Sequence, residues 1–213
     1  PTGDGFSHFA QLRDIILKRA AELGCLPRIL NKTAEALAEC SRFDYAFSVN
    51  VMEHVNDIAR VIANVGNSLT VGACYRFTCP NYLFPYEPHF NIPTLFSKQI
   101  TERVLKSKIL GCKKIPDPSG TWKSLNWLSV IQVRNIVERL PELRLTFNRR
   151  LLVSTLERIA TDEDFADRRS PVVCKIILLL VRFRLHHLFR FVPVMLQPIM
   201  DCKLQKIIDS QVC

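Results

Sequence analysis

The sequence predicts an α/β domain built on a parallel sheet, and three observations carry that prediction. Residues 43–49, FDYAFSV, form a short apolar and aromatic run with Asp44 at its entrance, which suits a buried strand. Apolar residues at 51, 52, 55, 58, 61 and 62 follow at helical spacing, so a strand runs straight into a helix. Strand-like runs at Pro27–Leu30 and Ala73–Cys79 flank this unit, giving strands that alternate with helical segments. In such sheets ligands bind beyond the carboxyl ends of the strands, which places residues 50–54 at a ligand edge.

The chain has 213 residues and 48% hydrophobic content, enough for a substantial core. Its formal charge is +9, but no dense Lys/Arg block occurs. The basic residues read as solvated helix faces, and no nucleic-acid partner is expected. The eight cysteines contain no CxxC pair and several lie in apolar runs, which predicts reduced, buried thiols in a cytoplasmic protein.

In chain order, residues 1–5 read as a loop and Phe6–Leu23 as an amphipathic helix stopped by Gly24. A brief turn is expected at Ala34–Glu39, and a helix from about 52 to 65 follows the strand at 43–49. Asn67–Gly72 reads as a turn before the strand at 73–79. Residues 80–96 then change character, with Pro80, Tyr82, Phe84, Pro85, Tyr86, Pro88, Phe90, Pro93 and Phe96 making a rigid aromatic loop suited to a substrate wall. Helices are expected at 94–109, from a Ser129 cap to Leu140, and at 153–167, with a strand at Leu143–Phe147. Residues 171–200 contain no acid and mix Leu and Phe with Arg182, Arg184, His186, His187 and Arg190. Those charges exclude a spanning helix and predict a basic amphipathic pair, packed on the domain or lying at a membrane surface.

These pieces together resemble the class I S-adenosylmethionine-dependent methyltransferases. FDYAFSVNVMEHVND at 43–57, Leu69–Gly72 before a strand, and Thr78-Cys79-Pro80-Asn81 carry the likeness over roughly residues 1–150. The resemblance implies a partial Rossmann-like, doubly wound parallel sheet with a helical, basic C-terminal extension at 151–213. It also implies S-adenosyl-L-methionine as methyl donor and a small or lipid-like acceptor. Peripheral contact through 171–200 would place the protein at the inner membrane face. The family's glycine-rich loop is absent, since Gly3-Asp4-Gly5 follows no strand. The family order therefore implies that the first strand and that loop precede Pro1, and the chain alone is expected to bind the donor weakly. The rival expectation is a methyltransferase-like binding domain without catalysis.

By the same resemblance, Thr33, Ala34 and Glu35 border the adenine. Asn50, Val51 and Met52 meet the donor, although Asn50 also reads as a helix cap and Met52 as core. Glu53, His54, Asn81, Tyr86 and Glu87 would line the acceptor side, with Trp122 and Trp127 either capping an apolar substrate or packing. In the quinone O-methyltransferase branch a further Glu three residues before the Glu-His pair is implicated in a divalent metal site. Asn50 stands there in this chain, and no metal is expected. His89 is the candidate general base, because a histidine in an aromatic loop can take an acceptor's proton near neutral pH.

Overall fold

The computed structural model describes residues 7–95, 97–167 and 171–209. The predicted opening loop at 1–5, Phe96 and Cys213 lie outside the described residues. A four-stranded sheet organises the chain in the order β1 (Phe43–Val49), β2 (Leu69–Pro80), β6 (Ile199–Lys206), β5 (Leu143–Phe147). Strand β1 pairs with β2 in parallel, whereas β6 runs antiparallel to both β2 and β5. The sheet is thus a mixed α/β sheet with a parallel pair at one side.

Strand β6 comes from the part of the chain expected to be helical. Its burial alternates, with Met200, Cys202 and Leu204 in the core and Lys203 exposed. Charges at 201, 203 and 206 conceal that period in the sequence. Two of them have buried duties. Asp201 accepts Arg76 Nε at 2.8 Å and Asn148 Nδ2 at 2.8 Å. Lys206 donates to the Leu69 carbonyl at 2.8 Å and the Asn67 carbonyl at 3.3 Å.

Pro27–Leu30 forms no strand, because no neighbouring strand takes up its backbone groups and Ile29 is exposed. Strand β2 starts at Leu69, four residues before its predicted start. The register jumps between Phe43↔Leu69 and Tyr45↔Cys74, and Gly72 at φ +87° accommodates that irregularity. The helix expected from 52 is two elements: a 3₁₀ turn at Met52–His54 and α2 (Ile58–Ser68), capped by Asp57, whose Oδ1 accepts the Arg60 amide at 3.0 Å. Helix α2 buries Val61, Ile62 and Val65 in the main core, beside Phe77, Leu128, Val133 and Leu204.

Helix α1 (Ser7–Glu22) precedes the sheet with Ile15 and Ile16 exposed. After β2 a hairpin of β3 (Tyr86–Glu87) and β4 (Ile92–Pro93) leads to α3 (Lys98–Leu110) and α4 (Pro118–Ser124). Helix α5 (Val130–Val137) starts with a capping box of Ser129 and Gln132. Helices α6 (Leu151–Thr161), α7 (Glu163–Ala166) and α8 (Pro171–Arg182) form a satellite core through Leu156, Ile159 and Ile177. Two 3₁₀ segments, Leu185–Phe191 and Val194–Leu196, return the chain to β6. No helix among the described residues is long and apolar enough to cross a membrane. Of the described cysteines, Cys79 and Cys202 are buried as expected, but Cys25 and Cys40 are exposed.

Candidate active site

The carboxyl ends of β1 and β2 lie side by side, with the Asn50 amide donating to the Thr78 carbonyl at 2.8 Å. Asn50 takes a left-handed φ of 53°, which turns the chain sharply out of the strand. The following 3₁₀ turn is clamped by Asn126, a residue with no signal in the sequence beyond its loop position. Its amide donates to the Glu53 carbonyl at 2.8 Å, and its Nδ2 donates to the carbonyls of Met52 at 2.7 Å and Val55 at 3.0 Å. That clamp sets the direction of Glu53 and His54.

Glu53 is fully buried, and neither carboxylate oxygen has a hydrogen-bond partner. Burial raises its pKa above the ordinary 4.5. The hairpin brings His89 beside it, with Nε2 at 3.9 Å from Glu53 Oε1 and the side chain 26% exposed. Glu87, also fully buried, holds His89 from the other side. Its Oε1 accepts His89 Nδ1 at 2.6 Å and the Tyr82 hydroxyl at 3.3 Å, and its Oε2 accepts the Phe90 amide at 2.7 Å. A proton on Nδ1 leaves Nε2 of His89 with its lone pair free.

The same reasoning fixes His54. Ser124 Oγ gives its single proton to the Thr121 carbonyl at 2.8 Å, so it accepts from His54 Nδ1 at 2.8 Å. The two imidazoles meet edge to face, with ring centroids 5.3 Å apart. Their pKa values move in opposite directions. Burial, then the charge of His89, pulls His54 down. Burial also pulls on His89, but the Glu87 hydrogen bond and the charges of Glu87 and Glu53 outweigh it and raise the pKa. Two histidines whose pKa values are pushed apart thus adjoin a carboxylate that makes no hydrogen bond.

The other predicted site residues separate into two groups. Asn50 and Val51 are exposed at the strand ends, and Tyr86 is exposed with its hydroxyl donating to Asn91 Oδ1 at 2.8 Å. Thr33 and Ala34 begin a 3₁₀ turn, and Glu35 Oε1 accepts the Asn56 amide at 3.0 Å, which brings this segment to the turn's far end. Met52 is core, completely buried with the Tyr75 hydroxyl on its sulfur at 3.2 Å, which is the second of the two readings its position allows. Asn81 is also buried. Its Nδ2 donates to the carbonyls of Met195 at 3.0 Å and Gln197 at 2.9 Å, fastening the loop to the C-terminal segment rather than to an acceptor. Trp122 belongs to a buried cluster with Phe90, Ile109 and Leu125, and Trp127 stacks on Tyr82 at 5.1 Å.

Two sets of three side chains among the described residues could hold a metal ion: Glu53, His54 and His89, and Glu157, His186 and His187. In the first, His89 supplies the ligand that the residue at Asn50 does not. A cleft of about 470 Å³ beside α5 and β5 is lined by Arg134, Phe147 and Arg149 and shares no lining residue with this cluster.

No protein-family model matches the chain. The uncharacterized proteins MT1557 and Rv1509 of Mycobacterium tuberculosis, from strains CDC 1551 and H37Rv, are each 47% identical to it over 206 residues, covering 97% of this chain and 69% of their own length. Among solved structures, the chain is similar to a methyltransferase of Mesorhizobium loti dependent on S-adenosylmethionine, at 14% identity over 91% of this chain and 76% of that one, with a TM-score of 0.49. It is also similar to phosphoethanolamine N-methyltransferase 2 of Haemonchus contortus, at 14% identity over 91% of this chain and 40% of that one, with a TM-score of 0.43.

Proposed function

Taking as premise that the chain belongs to the family of the Mycobacterium tuberculosis proteins MT1557 and Rv1509, we propose that it takes part in methyl transfer from S-adenosyl-L-methionine to a small or lipid-like acceptor. The observation that carries this reading is His89, held through Nδ1 by Glu87 at 2.6 Å, with Nε2 facing the unpaired carboxylate of Glu53. Such an arrangement suits removal of a proton from a bound acceptor.

The donor supplies an electrophilic methyl group on a sulfonium. Asn50 and Val51, exposed at the carboxyl end of β1, are the residues of this chain that would face it. The acceptor sits against the hairpin, between Tyr86 and His89. As the acceptor atom bonds to the methyl carbon, the carbon–sulfur bond breaks and its electron pair stays on sulfur. The acceptor's proton passes to His89 Nε2, and Glu87 stabilises the imidazolium that forms. Glu53, buried beside Nε2, adds its charge to that of Glu87 in favouring the imidazolium. Positioning and proton removal are the two contributions asked of the protein.

The test is transfer of labelled methyl from the donor to a panel of lipid, quinone and sugar acceptors, with His89→Asn beside the parent. The expected loss in kcat is on the order of 10²–10⁴-fold, the usual worth of a general base, with the KM for the donor unchanged. Equal rates for the two proteins would remove His89 from the chemistry. Absence of transfer to every acceptor, together with retained acceptor binding, would favour a non-catalytic binding domain.

A further inference from the structure

We infer that the face formed by α8 and the 3₁₀ segment Leu185–Phe191 docks on an anionic membrane surface. Helix α8 buries one side, where Ile177 packs on Leu156 and Ile159 of α6. The opposite side carries Val172, Ile176 and Leu179, and Phe183 just past the helix end continues the stripe, at spacings of four, three and four and 54–67% exposed. Leu185, Leu188 and Phe191 extend it at a spacing of three, the period of the 3₁₀ segment that holds them, and Phe191 is 68% exposed.

Charge identifies the occupant. Lys175, Arg182, Arg184 and Arg190 are exposed along this face, and the sequence has no acid between Asp167 and Asp201. Lys175 and Arg182 flank Leu178 and Leu179 around a cleft of about 330 Å³ with an apolar floor. An apolar stripe edged by cations matches a bilayer interface, where acyl chains take the stripe and anionic headgroups the cations. A nucleic acid would satisfy the cations and leave the stripe in water. The next segment, Val194–Leu196, returns the chain to the end of β2, where Asn81 bonds the Met195 carbonyl at 3.0 Å.

The test is flotation of the full chain, without methyl donor, on vesicles of phosphatidylcholine alone and of phosphatidylcholine mixed with phosphatidylglycerol. Its outcome is therefore separate from that of the methyl-transfer assay. The expected result is flotation with the anionic vesicles, weakened by added salt and at least tenfold weaker on neutral ones. Arg182→Glu with Arg184→Glu should lose about tenfold or more in partitioning, and Leu179→Ser with Phe183→Ser should lose as much at unchanged far-ultraviolet circular dichroism. Phe47→Ser, on the exposed side of β1, should float like the parent. Equal flotation on both vesicle types, no flotation, or variants that match the parent would overturn the inference. So would a stable dimer that disappears in Leu179→Ser with Phe183→Ser, since a second copy would then be the occupant.

Discussion

Glu53 and Lys206 are both completely buried and carry opposite charges, yet their surroundings differ in kind. Lys206 Nζ donates to two carbonyls and to Ser41 Oγ at 3.2 Å, and it pairs with the Asp209 carboxylate at 3.0 Å. Glu53 has no hydrogen bond at either oxygen. A buried charge with a full set of partners fixes structure, whereas one without them holds free energy that a ligand could recover. The first ties β6 to the amino-terminal ends of β1 and β2. The second waits at their carboxyl ends, so the sheet keeps its order at one end and its candidate site at the other.

Removing Lys206 should have the largest effect. Lys206→Ala takes the ammonium donor from the buried Leu69 carbonyl and from the Asn67 carbonyl, which keeps the Ser41 amide at 2.9 Å, with an expected loss of about 3–5 kcal/mol in urea unfolding. A loss within error would put the two buried charges on the same footing and sink the contrast. Glu53→Gln should act in the opposite direction and stabilise by about 1–3 kcal/mol at alkaline pH. The sign follows from the raised pKa. The unfolded carboxyl ionises near 4.5 and the folded one only later, so the parent loses stability as pH rises through the folded value. The variant's advantage should therefore vanish at acid pH and grow with alkalinity in parallel melts. A pH-independent difference would mean that the carboxylate is not strained.

Smaller in magnitude, and confined to the candidate site, is the effect of Glu87→Gln. In the parent, His89 must be neutral to accept a proton, so kcat/KM should rise with pH on a limb centred above the ordinary 6.5. Losing the Glu87 charge should move that limb to lower pH. A limb that stays in place would show that Glu87 does not set the basicity of His89.

Much of the candidate-site end was legible in the sequence, and much of the ordered end was not. The run at 43–49 and the proline-aromatic loop announced themselves because local composition dictates them. Glu53, His54 and His89 were named there, but their meeting depends on a hairpin whose direction no local pattern reveals. Met52 and Asn81 are buried for one physical reason. Both stand within motifs at the strand ends, and tertiary packing turned their side chains inward, onto Tyr75 and onto the backbone of 195–197. Strand β6 was hidden because its buried alternation includes Lys206 and flanks Asp201, so hydropathy alone reads it as polar. Only partners distant in the chain make those charges tolerable.

Strand β6 also sets a timetable. It fills the place between β2 and β5, and its Lys206 reaches back to Leu69 and Ser41, 137 and 165 residues earlier in the chain. On the ribosome, β2 and β5 are therefore made and released long before the strand that joins them exists. Until it emerges, both present unpaired ladder edges that a chaperone or another nascent chain could engage. Completion of the sheet thus waits for β6 to emerge, and slow codons upstream of β6 would lengthen that exposure.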